Sequence, residues 1–145
     1  DFNNIAISVQ QAIFTQNTSR FQEVLEKFMI KSVSFYDAGN ESFYHGLLLS
    51  LCAILSNRYY VRSNAESGYG RFDVQLIPKI KSIPGFIFEF KHAKTDSEDL
   101  SALAREALTQ IIAQKYETQM QSQGVSEIVK IGIAFRGKKA SVERG

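Results

Sequence analysis

The chain has 145 residues, 44% of them hydrophobic, 12% aromatic and 22% charged, with two prolines and nine glycines. That suits one domain with a real core and excludes disordered, collagen-like and low-complexity chains. Seventeen basic against fifteen acidic side chains leave a formal charge of +2, too balanced to indicate a nucleic-acid binder by itself.

No apolar run reaches the ~20 residues of a membrane span: Leu47 to Leu55 is too short and is interrupted by Ser50. The single cysteine, Cys52, excludes an intrachain disulfide and a multi-cysteine zinc site. Its setting in Leu-Cys-Ala-Ile-Leu reads as a small buried apolar residue rather than a reactive thiol. A reducing, cytoplasmic setting fits this usage. The chain opens at Asp1 with no methionine and no signal-peptide pattern, which reads as a piece of a longer protein.

Residues 5–15 and 19–32 carry helical spacing; in the second, Phe21, Val24, Leu25, Phe28 and Met29 recur at three and four, with Thr18 or Ser19 as the N-cap. Asp37-Ala-Gly-Asn40 is the first breaker, and a core helix follows from Glu41 to about Asn57, apolar through Phe43, Leu47, Leu48, Leu51, Ala53, Ile54 and Leu55. The period then changes. Tyr59 to Asn64 reads as a strand, Gly68 and Gly70 mark a turn, and Arg71 to Ile77 alternates, with Phe72, Val74 and Leu76 on one side and Arg71, Asp73 and Gln75 on the other. Pro78 to Gly85 is a hairpin connection into the strand Phe86-Ile-Phe-Glu-Phe-Lys91. Residues 97–121 form the longest helix, striped by Leu100, Leu103, Ala104, Ala107, Leu108, Ile111 and Ile112, with Asp96, Glu98 and Asp99 at its positive end. Gly124 ends it, Glu127 to Phe135 is a last strand, and Arg136 to Gly145 is a polar, basic tail. The order is two leading helices and then α-β-β-β-α-β, an α/β sandwich around a small sheet. Residues 1–32 are expected to be a helical segment ahead of a domain over 33–145.

A charge inside an apolar strand is costly unless it is paired or binds metal. Alternation sends Glu89 and Lys91 to the face opposite Phe86, Phe88 and Phe90, about 6–7 Å apart along the strand. If residues 71–77 and 86–91 pair as a hairpin, Asp73 shares that face. Two carboxylates and an ammonium then make either a hard-oxygen site for Mg²⁺ or Mn²⁺ or a structural ion pair on a solvated face. As a metal site it suits phosphodiester hydrolysis, the lysine orienting water or neutralising charge on the phosphate.

Asp73, then fifteen residues, then Glu89-Phe-Lys91, within this order of elements, resembles the PD-(D/E)XK nuclease superfamily. Asn40-Glu-Ser-Phe-Tyr-His45, Glu66-Ser-Gly-Tyr-Gly-Arg-Phe-Asp73, Phe88-Glu-Phe-Lys91 and Ala107-Leu-Thr-Gln-Ile-Ile112 with Tyr116 resemble the branch found C-terminal to an AAA-ATPase-like module. The resemblance runs from about residue 33 to residue 136. It implies a restriction-endonuclease-like αβββαβ core with a mixed central sheet. It implies Asp73 and Glu89 as metal ligands, the Phe90 carbonyl as a third, Lys91 as the catalytic lysine, and Glu41 as the acid of the first core helix. Gln110 and Tyr116 match a polar patch on the last helix. Phe72 stands where the eponymous motif has proline.

Other residues keep two readings. Glu66 is a site carboxylate or a turn residue. Arg71 holds a phosphate or pairs with Glu66. His45, one turn after Glu41, is a site residue or a structural histidine. Tyr116, by itself, reads as core. His92 and Lys94, and Arg136, Lys138 and Lys139 at the far end, are solvated faces or phosphate contacts. The expected function is a Mg²⁺- or Mn²⁺-dependent nuclease, on DNA before RNA. The alternative is an inactive nuclease-like module that binds nucleic acid or a protein partner and regulates an attached ATPase.

Overall fold

The computed structural model describes residues 2–32, 41–53, 55–66, 71–114 and 116–145. The expected breaker at 37–40, the glycine turn at 68 and 70, and the side chains of Glu41, Glu66, Arg71 and Ile112 lie outside what is described. Three helices, α1 (Phe2–Phe14), α2 (Thr18–Ser32) and α3 (Glu41–Ala53), precede strands β1 (Tyr59–Glu66), β2 (Arg71–Pro78) and β3 (Gly85–His92). Helices α4 (Leu100–Gln114) and α5 (Tyr116–Ser122) then lead to β4 (Ile128–Arg136) and β5 (Lys139–Arg144). The strands form one mixed sheet in the order β1-β2-β3-β4-β5. β3 and β4 run parallel across the α4–α5 crossover; the other neighbours are antiparallel.

Local chemistry sets the helix ends. Gln16, at φ 57°, closes α1 in the left-handed region, and the Asn17 side chain, not Thr18 or Ser19, caps α2 by accepting from the Arg20 amide at 3.0 Å. Helix α3 stops at Ala53, short of the expected Asn57, because tight bonds from the Leu55, Ser56 and Arg58 amides turn the chain into β1. The helix expected over 97–121 begins only at Leu100, where Asp99 Oδ1 accepts from the Ser101 and Ala102 amides; its described parts are α4 and α5. The expected polar tail is a strand. A two-residue turn at Gly137 (φ 57°) folds β5 back on β4, and alternation buries Ala140 and Val142. The outward amides of those two residues donate to Glu26 Oε2 and Gln22 Oε1 of α2.

The two sheet faces carry unequal cores. Phe72, Phe86, Phe88, Phe90 and Phe135 stack row on row against Tyr44, Phe21 and the buried faces of α1, α2 and α3. The opposite face holds a smaller cluster of Ile77, Ile87, Ile111, Met120 and Val125 under α4 and α5. There α4 lies directly on β4: a Cβ on Gly132 would come within 2.2 Å of the Ala104 carbonyl oxygen. Only glycine permits that approach. Alternation thus places the apolar residues of β2 and β3 on the thick side and leaves Asp73, Gln75, Glu89 and Lys91 on the thin one.

Candidate active site

Asp73 and Glu89 are register partners on β2 and β3. Directly opposed residues of an antiparallel pair have Cα atoms about 4.5–5.5 Å apart and point to one face, so the two carboxyl groups project side by side. Both are buried, 4% and 3% exposed. Glu89 is flanked on its other side by Gly132, its partner in the parallel ladder with β4. A carboxylate therefore stands between another carboxylate and the surface on which α4 rests.

Donors gather on Asp73. The Tyr116 hydroxyl, at the start of α5, donates to Oδ2 at 2.9 Å. Asn64 Nδ2, from its register partner on β1, and Gln75 Nε2, two residues along β2, approach Oδ1 at 3.3 and 3.4 Å. These bonds fix the orientation of the carboxyl group. Gln75 is 1% exposed, and its Oε1 is buried without a hydrogen-bond partner among the described residues. Sequence reading put Gln75 on the polar side of β2 but gave it no role, and it missed Asn64 altogether. The signal for Gln75 was its i+2 spacing from Asp73, whereas Asn64 becomes visible only through the β1–β2 register.

The remaining expected residues divide. Lys91 lies half-buried two residues beyond Glu89 on the same face, opposite Arg71 in the ladder. Glu66 is in turn the β1 partner of Arg71, so these three backbones form one row at the end of the sheet next to the carboxylates. Phe90 is paired on both sides, with Phe72 and Ile133, so its carbonyl belongs to the sheet ladder. Gln110 is half-buried on α4 above the thin face. Tyr116 packs against the smaller core, as expected, but its hydroxyl also reaches Asp73. His45 is not brought to the carboxylates. Its ring lies 4.5 Å from that of Phe72, and Nε2 is 3.1 Å from Ser63 Oγ, on the other side of the sheet. Glu41 opens α3 on that same side; three residues on, Tyr44 meets the ends of β3 and β4 through His92, Phe135 and the Gly137 carbonyl. Among the basic residues, Arg136 holds the Glu98 carbonyl and His92 lies against Tyr44, both structural contacts.

Two buried carboxylates in register form an all-oxygen donor set that matches a hard divalent cation. Among the described residues, no group of three or more His, Cys, Asp or Glu side chains surrounds a common point. A pair of carboxylates still fits Mg²⁺, which commonly takes one or two carboxylates and fills its shell with water and phosphate oxygens.

No helix among the described residues is long and apolar enough to cross a membrane. No curated protein matches the chain. A family model of the PD-(D/E)XK nuclease superfamily matches residues 39–145, a span that takes in β1 to β5, both carboxylates and Lys91. Nucleases of this superfamily generally use divalent metals. The paired acids, the lysine two residues on, the mixed sheet and the family match agree: the chain belongs to the PD-(D/E)XK nuclease superfamily.

Proposed function

We propose that the protein is a Mg²⁺- or Mn²⁺-dependent nuclease that hydrolyses phosphodiester bonds of DNA in preference to RNA. One observation supports this above the others: Asp73 and Glu89 stand buried in direct register on one face with Lys91 two residues on, the oxygen donor set that a hard divalent cation takes. When bound, the ion would polarise a phosphoryl oxygen and lower the pKa of a water molecule. Asp73 and Glu89 would hold it, with the Phe90 carbonyl as a third donor; Glu41, which opens α3 on the opposite side of the sheet, would serve only through water. Tyr116, Asn64 and Gln75 hold the Asp73 carboxyl in place. The Lys91 ammonium would orient the attacking water and offset charge on the phosphate; the water oxygen bonds to phosphorus and gives its proton to bulk water, while the ester oxygen leaves in line and takes a proton from water. Arg71, the register partner of Lys91, would contact a phosphate, and Glu66 would act as a further site carboxylate. Residues 33–145 form the nuclease domain, the setting is cytoplasmic, and the domain works with an AAA-ATPase-like partner.

The test is calorimetric uptake of Mn²⁺ by the full chain, alongside cleavage of linear, circular and single-stranded DNA and of RNA. Asp73→Asn and Glu89→Gln should each abolish uptake, and Lys91→Ala should retain uptake while lowering cleavage by about a hundredfold or more. Cleavage that survives Glu89→Gln and Lys91→Ala unchanged would refute the assignment.

A further inference from the structure

The thin face of the sheet is covered unevenly. Helix α4 packs on β3, β4 and β5 and α5 packs on β3. Burial therefore changes abruptly between neighbouring strands. Asp73 and Gln75 of β2 are buried, yet their register partners on β1, Asn64 and Arg62, are exposed. Tyr60, opposite Ile77, is 62% exposed. Strand β1 is thus the exposed edge of this face, next to the strand that carries Asp73.

Three properties of this edge point to one kind of occupant. Tyr60, Arg62 and Asn64 alternate along β1 and share the face of Asp73, spaced about 6–7 Å apart, which matches the step between nucleotides of an extended strand. The row ends on the carboxylates, because Asn64 Nδ2 is 3.3 Å from Asp73 Oδ1. The basic residues gather at the start of β1 and beyond the end of β2: residues 56–64 and 78–84 contain Arg58, Arg62, Lys79 and Lys81, and the acid of β1, Glu66, comes only at its last position. Lys79 Nζ lies 5.0 Å from the centre of the Tyr60 ring, steadying an aromatic surface that the core does not use. Exposed rings beside cations are the elements with which proteins hold unpaired bases and their phosphates.

We infer that β1 is a single-strand track: Tyr60 stacks a base, Arg62 and Lys79 hold the neighbouring phosphates, and the strand is thereby led to Asp73 and Glu89. This rests on the nuclease reading of that site and adds the form of its substrate. An unpaired strand fits better than a duplex, since a ring offers stacking only to a base outside a helix.

The test is fluorescence anisotropy of a labelled DNA strand of about 12 nucleotides with the full chain, Ca²⁺ replacing Mg²⁺ to suppress cleavage. RNA of the same sequence and the matching DNA duplex form parallel arms. Tyr60→Ala should raise Kd about tenfold and Tyr60→Phe by less than about twofold. Arg62→Ala should weaken binding and lower the slope of log K against log salt by about 0.7, which loss of a merely structural contact would not do. Ile30→Ala, on exposed α2 surface, should bind as the unaltered chain does. Melting temperatures should be unchanged throughout, because the substituted side chains are exposed. Tighter binding of the duplex, or unchanged binding by Tyr60→Ala and Arg62→Ala, would overturn the track while the nuclease reading stands. A chain that neither binds nor cuts nucleic acid would overturn both.

Discussion

Replacing Gly132 by alanine should be the most damaging glycine-to-alanine change among the described residues. The added Cβ would lie 2.2 Å from the Ala104 carbonyl oxygen, 2.7 Å from the Leu108 amide nitrogen and 3.2 Å from Leu108 Cα. All three are backbone atoms of α4, so no side-chain rotation relieves the overlap. The helix has to retreat by about 1 Å, lifting Ala104, Ala107 and Ile111 from β3 and β4, where packing is as dense as in a crystal. Overpacking of this kind costs about 1–3 kcal/mol, and a backbone clash belongs at the upper end. With an unfolding entropy of about 2.1 cal/mol/K per residue over 145 residues, about 3 kcal/mol lowers Tm by roughly 10 °C. Thermal unfolding followed by circular dichroism gives the answer. Gly46→Ala is the counterpart: it sits on an exposed turn of α3 with nothing within 4 Å of the new carbon and should gain up to about 1 kcal/mol. A Gly132→Ala protein that melts within about 2 °C of the parent would refute the close approach of α4 to β4.

Further outcomes follow from individual groups. Burial pushes the Cys52 thiol up to about 12, so a disulfide reagent at pH 8 should label it only as fast as the protein unfolds; rapid labelling of folded protein would contradict its placement in the core. Burial also pushes the Tyr44 and Tyr59 hydroxyls, which donate to the Gly137 and Pro84 carbonyls, up to about 12. Because an unfolded tyrosine titrates near 10, their contribution is intact below about pH 10 and is lost as pH rises toward 12. Denaturant midpoints measured across that window should decline, and the Tyr44→Phe/Tyr59→Phe double variant should decline less steeply. Tyr116→Phe removes the hydroxyl that holds Asp73 Oδ2; Mn²⁺ affinity should fall about tenfold, and calorimetric titration that finds it unaltered would separate Tyr116 from the site.

What could be read in advance was what repeats locally. The alternation of Phe86 to Lys91 and of Phe72 to Ile77 expresses the period of a strand. Once the two pair, Asp73 and Glu89 have to share a face, as they do. Strand β5 escaped notice because its apolar signal is confined to Ala140 and Val142 among charged neighbours, and the groups that satisfy its outer amides come from α2, more than a hundred residues away. The start of α4 was set too early because Asp96, Glu98 and Asp99 all suit a helix dipole. Only the side-chain bonds distinguish Asp99, which caps the helix, from Glu98, which accepts from the Lys94 and Thr95 amides of the preceding loop. His45 shows the limit of helical spacing: proximity to Glu41 along α3 does not say which side of the sheet the helix lies on, and it lies against Phe72.

The bonds from Gln22 and Glu26 to β5 bear on how this protein can be cut down for study. A fragment trimmed to the span of the family match, 39–145, would lose α2 and with it the groups that occupy those amides. It would also bare the apolar surface that Phe21, Val24, Leu25 and Met29 now cover. A bare strand border beside greasy surface is a template for stacking chain upon chain. The shortened protein should therefore precipitate or form fibrils where the full chain stays dispersed, its leading helices serving as a guard against self-association.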